Sequence, residues 1–101
     1  MSTSISSGEF AVSDVPPGTA LLVGDAVVFN VDGTFCATQA KCTHRGGDLS
    51  KGRLDGSTVR CPLHGAMFDV ATGAVLMGPA REPLHTYDIV VEGAAGRVVG
   101  A

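Results

Sequence analysis

Cys42-Thr43-His44-Arg45-Gly46-Gly47 and Cys61-Pro62-Leu63-His64-Gly65, with sixteen residues between His44 and Cys61, decide how this chain is read. Each segment offers one thiolate and one imidazole from a short loop flanked by glycine. A single histidine is most often an ordinary hydrogen-bonded or exposed side chain. Four donors in register, Cys42, His44, Cys61 and His64, are a set that can hold iron or zinc. Structural zinc sites usually combine Cys-x2-4-Cys arms with His-x3-5-His arms, so two pairs that each mix Cys with His lean toward iron and sulfide.

Outward from these loops the chain reads as short strands and tight turns. Thr19 to Val23 and the β-branched, apolar run Ala26 to Val31 enclose Gly24-Asp25 as a turn. Asp32-Gly33, the strongest kind of two-residue hairpin signal, leads into Thr34 to Thr38. Asp55-Gly56 predicts a second hairpin, between Arg53-Leu54 and Ser57 to Arg60, which puts Cys61 where a strand gives way to a loop. Met67 to Val70 and Ala74 to Met77 flank Ala71-Thr72-Gly73 as a third. Leu84 to Val91 is the longest strand candidate, and Gly93 to Gly96 turns it back toward Arg97-Val98-Val99. Residues 1–8 are expected to fray. No helical apolar period persists beyond two turns, and there is no internal repeat. The expected fold class is all-β, built of short antiparallel strands.

The 101 residues are read as one domain, 45% hydrophobic but with only five aromatic side chains and no Trp, so the core has to come from Val, Leu, Ile and Ala. Fourteen glycines, about twice average usage, fit a chain of tight turns. Three cysteines cannot all pair within the chain and two belong to the metal motif, which points to a reducing compartment. There is no signal-like start and no stretch approaching the ~18 apolar residues of a membrane span. A cytoplasmic protein with no membrane contact is expected. The formal charge of -3 argues against nucleic acid as a partner. Mild acidity would suit steering toward basic patches on a partner, and is more often the ordinary balance of a cytoplasmic protein.

The two segments resemble the Rieske ferredoxin family. The resemblance rests on Cys42 to Gly47 with Leu49 and Gly52, on Arg60 to Gly65 with Phe68-Asp69 and Thr72-Gly73, and on Gly78-Pro79-Ala80, and it runs from about Gly24 to Val99. It implies a Rieske-type antiparallel β-sandwich with a small inserted cluster-binding subdomain, here about residues 41–77, and one [2Fe-2S] cluster per chain. It also implies Cys42 and Cys61 on a buried iron and His44 and His64 on the outer iron, where the electron leaves. Gly78-Pro79-Ala80 would cover one side of the cluster. Lys41, Arg45 and Arg81 are candidates for a docking rim or a solvated surface. Cys36 fits neither ligand pair and is expected to be a buried structural thiol, and His85 is expected to face outward.

The sequence departs from the high-potential branch of that family. There, cysteines at the positions of Gly47 and Leu63 form a bracing disulfide, and hydroxyls at the positions of Ala66 and Phe68 donate to the cluster and to a ligand sulfur. None of these four groups is present. Donors aimed at sulfur favour the reduced cluster, and a hydrogen bond to a charged group contributes about 1.5–3 kcal/mol. With ~59 mV per factor of ten for one electron, two missing hydroxyls lower the potential by on the order of 100–250 mV. The expectation is the low end of the Rieske range, roughly -150 to +300 mV.

The resemblance therefore implies a non-catalytic electron carrier, expected to act as a monomer between a flavin-dependent ferredoxin reductase and a terminal non-haem iron oxygenase of the aromatic-ring hydroxylating type. A terminal oxygenase would itself need a two-His-one-carboxylate iron site, and only His85 is left over. The alternatives are the small Rieske subunit of an assimilatory nitrite reductase and, more distantly, a zinc-stabilised binding module.

Overall fold

The computed structural model describes residues 8–41, 48–62, 65–78 and 82–99. Among these residues ten strands form two antiparallel sheets: β1 (Gly8–Ala11), β2 (Ala20–Val23), β3 (Ala26–Val31), β4 (Thr34–Gln39), β5 (Arg53–Asp55), β6 (Thr58–Arg60), β7 (Met67–Asp69), β8 (Val75–Met77), β9 (Thr86–Glu92) and β10 (Ala95–Val99). The larger sheet runs β1-β10-β9-β4-β3-β2 and the smaller β5-β6-β7-β8. The only helical pieces among the described residues are two single 3-10 turns, Val12–Asp14 and Leu49–Lys51.

Glycine placement explains how so short a chain makes so many hairpins. At β2–β3, β5–β6 and β9–β10 the two-residue loops are Gly24-Asp25, Gly56-Ser57 and Gly93-Ala94, each with a left-handed Gly first (φ +61°, +61° and +62°). That is the residue a type II′ turn requires at its first central position. The β3–β4 loop instead has both Asp32 and Gly33 at positive φ (52° and 95°), the mark of type I′. The turn expected at Asp55-Gly56 thus lies one residue later, because Asp55 is paired with Thr58.

β3 is buried from Ala26 through Asn30, and its alternation divides two cores. Val27 and Phe29 face the smaller sheet, packing with Leu49, Val59, Cys61, Ala66, Phe68, Val70 and Leu84. Ala26 and Val28 face the opposite way, into a core with Phe10, Val15, Val23, Ala37 and Val98. Phe10 and Val23 come from opposite edge strands of the larger sheet, so that sheet curls round its own core. Each fully buried Val, Leu or Phe contributes about 1.5–3 kcal/mol. The one buried amide on β3, Asn30, is satisfied at both ends: Nδ2 donates to Val15 O (2.7 Å) and Oδ1 accepts from Gly33 N (2.7 Å).

Two sequence expectations shift at the N-terminal edge. Gly8 lies in β1 rather than in a frayed end, and residues 1–7 are outside those described. Gly96, expected in a turn, sits inside β10 opposite Phe10, whose ring occupies the space a Cβ would need. A short strand with no alternating pattern is thereby anchored by one ring lying on one glycine.

The smaller sheet is tied to the larger at Gly73. Its amide donates to Asp69 O (2.7 Å), and its carbonyl accepts from Leu84 N (2.8 Å), just before β9. Gly73 has φ +81°, and a Cβ there would collide with the Leu84 carbonyl oxygen. Gly24 has φ +61° but open space around it. Gly24→Ala should therefore lose only the left-handed penalty, about 1–2 kcal/mol, while Gly73→Ala should lose distinctly more, beyond about 3 kcal/mol. Urea unfolding of the two variants tests this; equal losses would show that the Leu84 contact contributes nothing.

Candidate metal centre

Cys61 follows directly on β6, and its neighbours dictate its seat. Val59 and Phe68 alternate inward on β6 and β7, so Cys61 enters the same apolar cluster and is only 2% exposed. Its amide donates to Ala66 O at 2.7 Å, pinning the two ends of the second loop together. Within it Gly65 has φ +75° and lies under the Arg60 guanidinium, where a Cβ would stand 3.2 Å from Nη2. Leu63 and His64 lie outside the described residues.

The first loop is described at its two ends. Cys42, His44, Arg45, Gly46 and Gly47 lie outside the described residues, as do Pro79, Ala80 and Arg81. On either side of the loop, Lys41 and Asp48 form an antiparallel bridge and Leu49 N donates to Ala40 O at 2.8 Å. Ala40 N in turn donates to Asp25 O at 3.0 Å. Leu49 is fully buried in the cluster that holds Cys61 and Ala66. The roots of the two loops therefore share one patch of core, although their sequence positions are far apart.

Two polar residues that sequence reasoning passed over fix the first root. The Asp48 Oδ1 accepts from Ser50 N (2.9 Å) and Ser50 Oγ (2.6 Å), capping the turn Leu49–Lys51. The Ser50 hydroxyl, then its amide and the nearby Lys51 and Lys41 charges, hold the Asp48 carboxyl below the ordinary carboxylate range against some desolvation. The Asp-x-Ser spacing was a readable signal for this cap. Gln39 gave none. Its Nε2 donates to Lys41 O (2.7 Å), its Oε1 accepts from His85 N (2.7 Å) and its amide donates to His85 O (2.9 Å), bracing the loop root against the approach to β9.

His85 is exposed, as expected, and meets Tyr87 edge to face with ring centroids 4.7 Å apart. Cys36, on β4 opposite Phe29, is half-buried rather than fully buried. Burial and then the Asp69 charge push its thiol pKa up, which keeps it protonated and unreactive at neutral pH.

The described part of the centre fits an iron-sulfur cluster. An apolar seat disfavours a bare thiolate, and coordination by iron removes that cost. Gly65 is left-handed and the Cys61 amide is bonded to Ala66 O, and a glycine without Cβ beside the sulfur-bearing residue suits a site that must approach inorganic sulfide. Ala66 and Phe68, both 0% exposed, bring no hydroxyl to this seat.

Residues 6–88 match the Rieske [2Fe-2S] domain family. The chain is 51% identical over 88 residues to the biphenyl dioxygenase ferredoxin subunit of Pseudomonas sp. (strain KKS102), covering 82% of this chain and 81% of that one. In structure it is similar to the Sphingomonas yanoikuyae B1 ferredoxin, with TM-score 0.86, 32% identity, and coverage of 93% of this chain and 97% of that one. It is likewise similar to a chain in a complex of reduced oxygenase and oxidized ferredoxin in carbazole 1,9a-dioxygenase, with TM-score 0.83, 37% identity, and coverage of 92% and 91%. No helix among the described residues is long and apolar enough to cross a membrane. By its match and its relatives the chain belongs to the Rieske [2Fe-2S] domain family, an all-β ferredoxin that carries one [2Fe-2S] cluster and moves electrons rather than catalysing a reaction.

Proposed function

We propose that this ferredoxin is a low-potential one-electron carrier between a flavin-dependent reductase and the terminal oxygenase of an aromatic-ring hydroxylating dioxygenase system. In this reading Cys42 and Cys61 bind one iron as thiolates, and His44 and His64 bind the other as neutral imidazoles. The chain is a single domain, residues 1–101, with the cluster held by about residues 41–77, and it works as a monomer in the cytoplasm. The relatives named as dioxygenase ferredoxins support the system, and commitment of two of three cysteines to iron supports a reducing compartment.

The observation that carries the reading is the seat of Cys61, buried in one apolar cluster with Ala66 and Phe68. When bound, a [2Fe-2S] cluster supplies a site that accepts and releases one electron. The protein sets how readily. Cys61 lends negative charge to that site from a dry pocket, while Ala66 and Phe68 withhold the hydroxyls that would favour reduction. A negative potential suits acceptance from a flavin and delivery to an oxygenase iron.

Two outcomes are expected. Cys61→Ser should purify with little iron or acid-labile sulfide while His85→Ala keeps both, as read by metal and sulfide analysis; a fully loaded Cys61→Ser would remove Cys61 from the ligand set. Ala66→Ser with Phe68→Tyr should raise the reduction potential by on the order of 100–250 mV, measured by protein-film voltammetry. A shift near zero or in the negative direction would defeat the explanation of the low potential.

A further inference from the structure

The formal charge of -3 conceals an uneven distribution. Six of the seven Lys and Arg residues, Lys41, Arg45, Lys51, Arg53, Arg60 and Arg81, fall between positions 41 and 81, against three of the ten carboxylates, Asp48, Asp55 and Asp69. Six positive and three negative give that segment +3; one positive and seven negative give the rest -6. A [2Fe-2S] cluster with two thiolates and neutral imidazoles adds no charge when oxidised and one negative charge when reduced. The cluster-bearing part is positive in both states.

The strand register gathers part of this charge into a line. Arg53 pairs with Arg60, Arg60 with Met67, and Met67 with Met77, one row across all four strands of the smaller sheet. The adjacent row of Val59 and Phe68 is buried, so this row turns away from the core. Both arginines are exposed, Met67 is half-buried and Met77 is 54% exposed. The row lies at the metal end of the sheet, since Arg60 precedes Cys61, Met67 follows Ala66, and the Arg60 guanidinium covers Gly65. Like charges directly opposite on a sheet are destabilising, and among the described residues no ion pair engages either arginine. Asp55 and Thr58 line with Arg53, Arg60 and Met67 a groove of about 350 Å³, and the next outward row, Asp55-Thr58-Asp69, places its two carboxylates on the side of the face away from the metal end.

We propose that the Arg53-Arg60-Met67-Met77 row is the docking surface for the flavin-dependent reductase, which meets it with a cluster of carboxylates. The inference rests on the carrier reading above. Guanidinium groups bind carboxylates in a two-pronged fashion, and methionine supplies apolar contact that adapts to a partner. Charge selects the reductase over the oxygenase. An acidic face holds the oxidised carrier, segment charge +3, more tightly than the reduced one at +2. That order helps a donor, which must bind oxidised carrier and release reduced carrier, and hinders an acceptor.

The test measures the rate at which the reductase of the biphenyl dioxygenase system, to which the 51% identical relative belongs, reduces the oxidised holoprotein. The wild-type rate constant should fall about tenfold between roughly 20 and 200 mM NaCl. Arg53→Gln/Arg60→Gln should be about tenfold slower at low salt and nearly insensitive to salt. Asp55→Asn should be faster than wild type, and Arg97→Gln, on β10, unchanged. Spectrum and potential of the variants should match wild type; if Arg60→Gln disturbs cluster loading, Arg53→Gln alone should still slow reduction about threefold. A wild-type rate that rises with salt, or variants as fast as wild type, overturns the proposal. So does normal reduction combined with slowed transfer to the oxygenase, which would give the face to the acceptor. A holoprotein that neither the reductase nor dithionite reduces at any salt defeats the carrier reading instead.

Discussion

The structure depends on one strand that must satisfy two cores. Ala26–Val31 is apolar on both faces because Val27 and Phe29 complete the core under the metal loops, while Ala26 and Val28 complete the core inside the curled larger sheet. A one-residue slip would exchange the two sets and put Phe29 where Val28 fits. The Asp32-Gly33 turn and the Asn30 bonds to Val15 and Gly33 hold the register against that slip. What looks like a plain hydrophobic run is the wall shared by scaffold and site.

The roots of the two candidate metal loops inherit their positions from that wall. Leu49, beside the first loop, and Cys61, within the second, both pack in the cluster that Val27 and Phe29 close. Gly73 then tethers the smaller sheet to the segment entering β9, and Gln39, at the end of β4, braces the root of the first loop against the same segment. Strands of three residues have little stability alone, so the smaller sheet relies on this shared core, the Gly73 tether and the cluster itself. Cluster binding is thereby coupled to the folding of the sheet that presents it.

Much of this architecture was legible in the sequence, and the exceptions share a cause. Asp32-Gly33, Gly24 and the Ala26 to Val31 run announced their hairpins because turn type and strand burial are local properties. β1 was missed because Phe10 earns its place only against Gly96, across the sheet. Gly96 was misread as a turn residue for the same reason. β9 begins at Thr86 rather than Leu84, since Leu84 and His85 spend their backbone groups on Gly73 and Gln39. At the site, residue types and spacing singled out Cys61, which the structure seats in the buried cluster, and Asp48-x-Ser50 could have given the cap. The Arg53-Arg60-Met67-Met77 row had no sequence signature, because three strand registers have to be known before those four residues become neighbours.

That row also changes what the net charge means. A total of -3 predicts attraction to basic partners only if the charge is spread evenly, and here +3 and -6 occupy different parts of the chain. The molecule measures 38 Å along its longest axis, several times the Debye length of about 8 Å at physiological salt. A partner therefore responds mainly to the charges nearest its own contact, and on the outer row of the smaller sheet these are Arg53 and Arg60. The asymmetry does little at long range. At the last few ångströms of approach it favours the orientation that brings an acidic face to the Arg53-Arg60 row over the reverse one. For a carrier whose electron must cross at one small edge, orientation counts for more than the total charge.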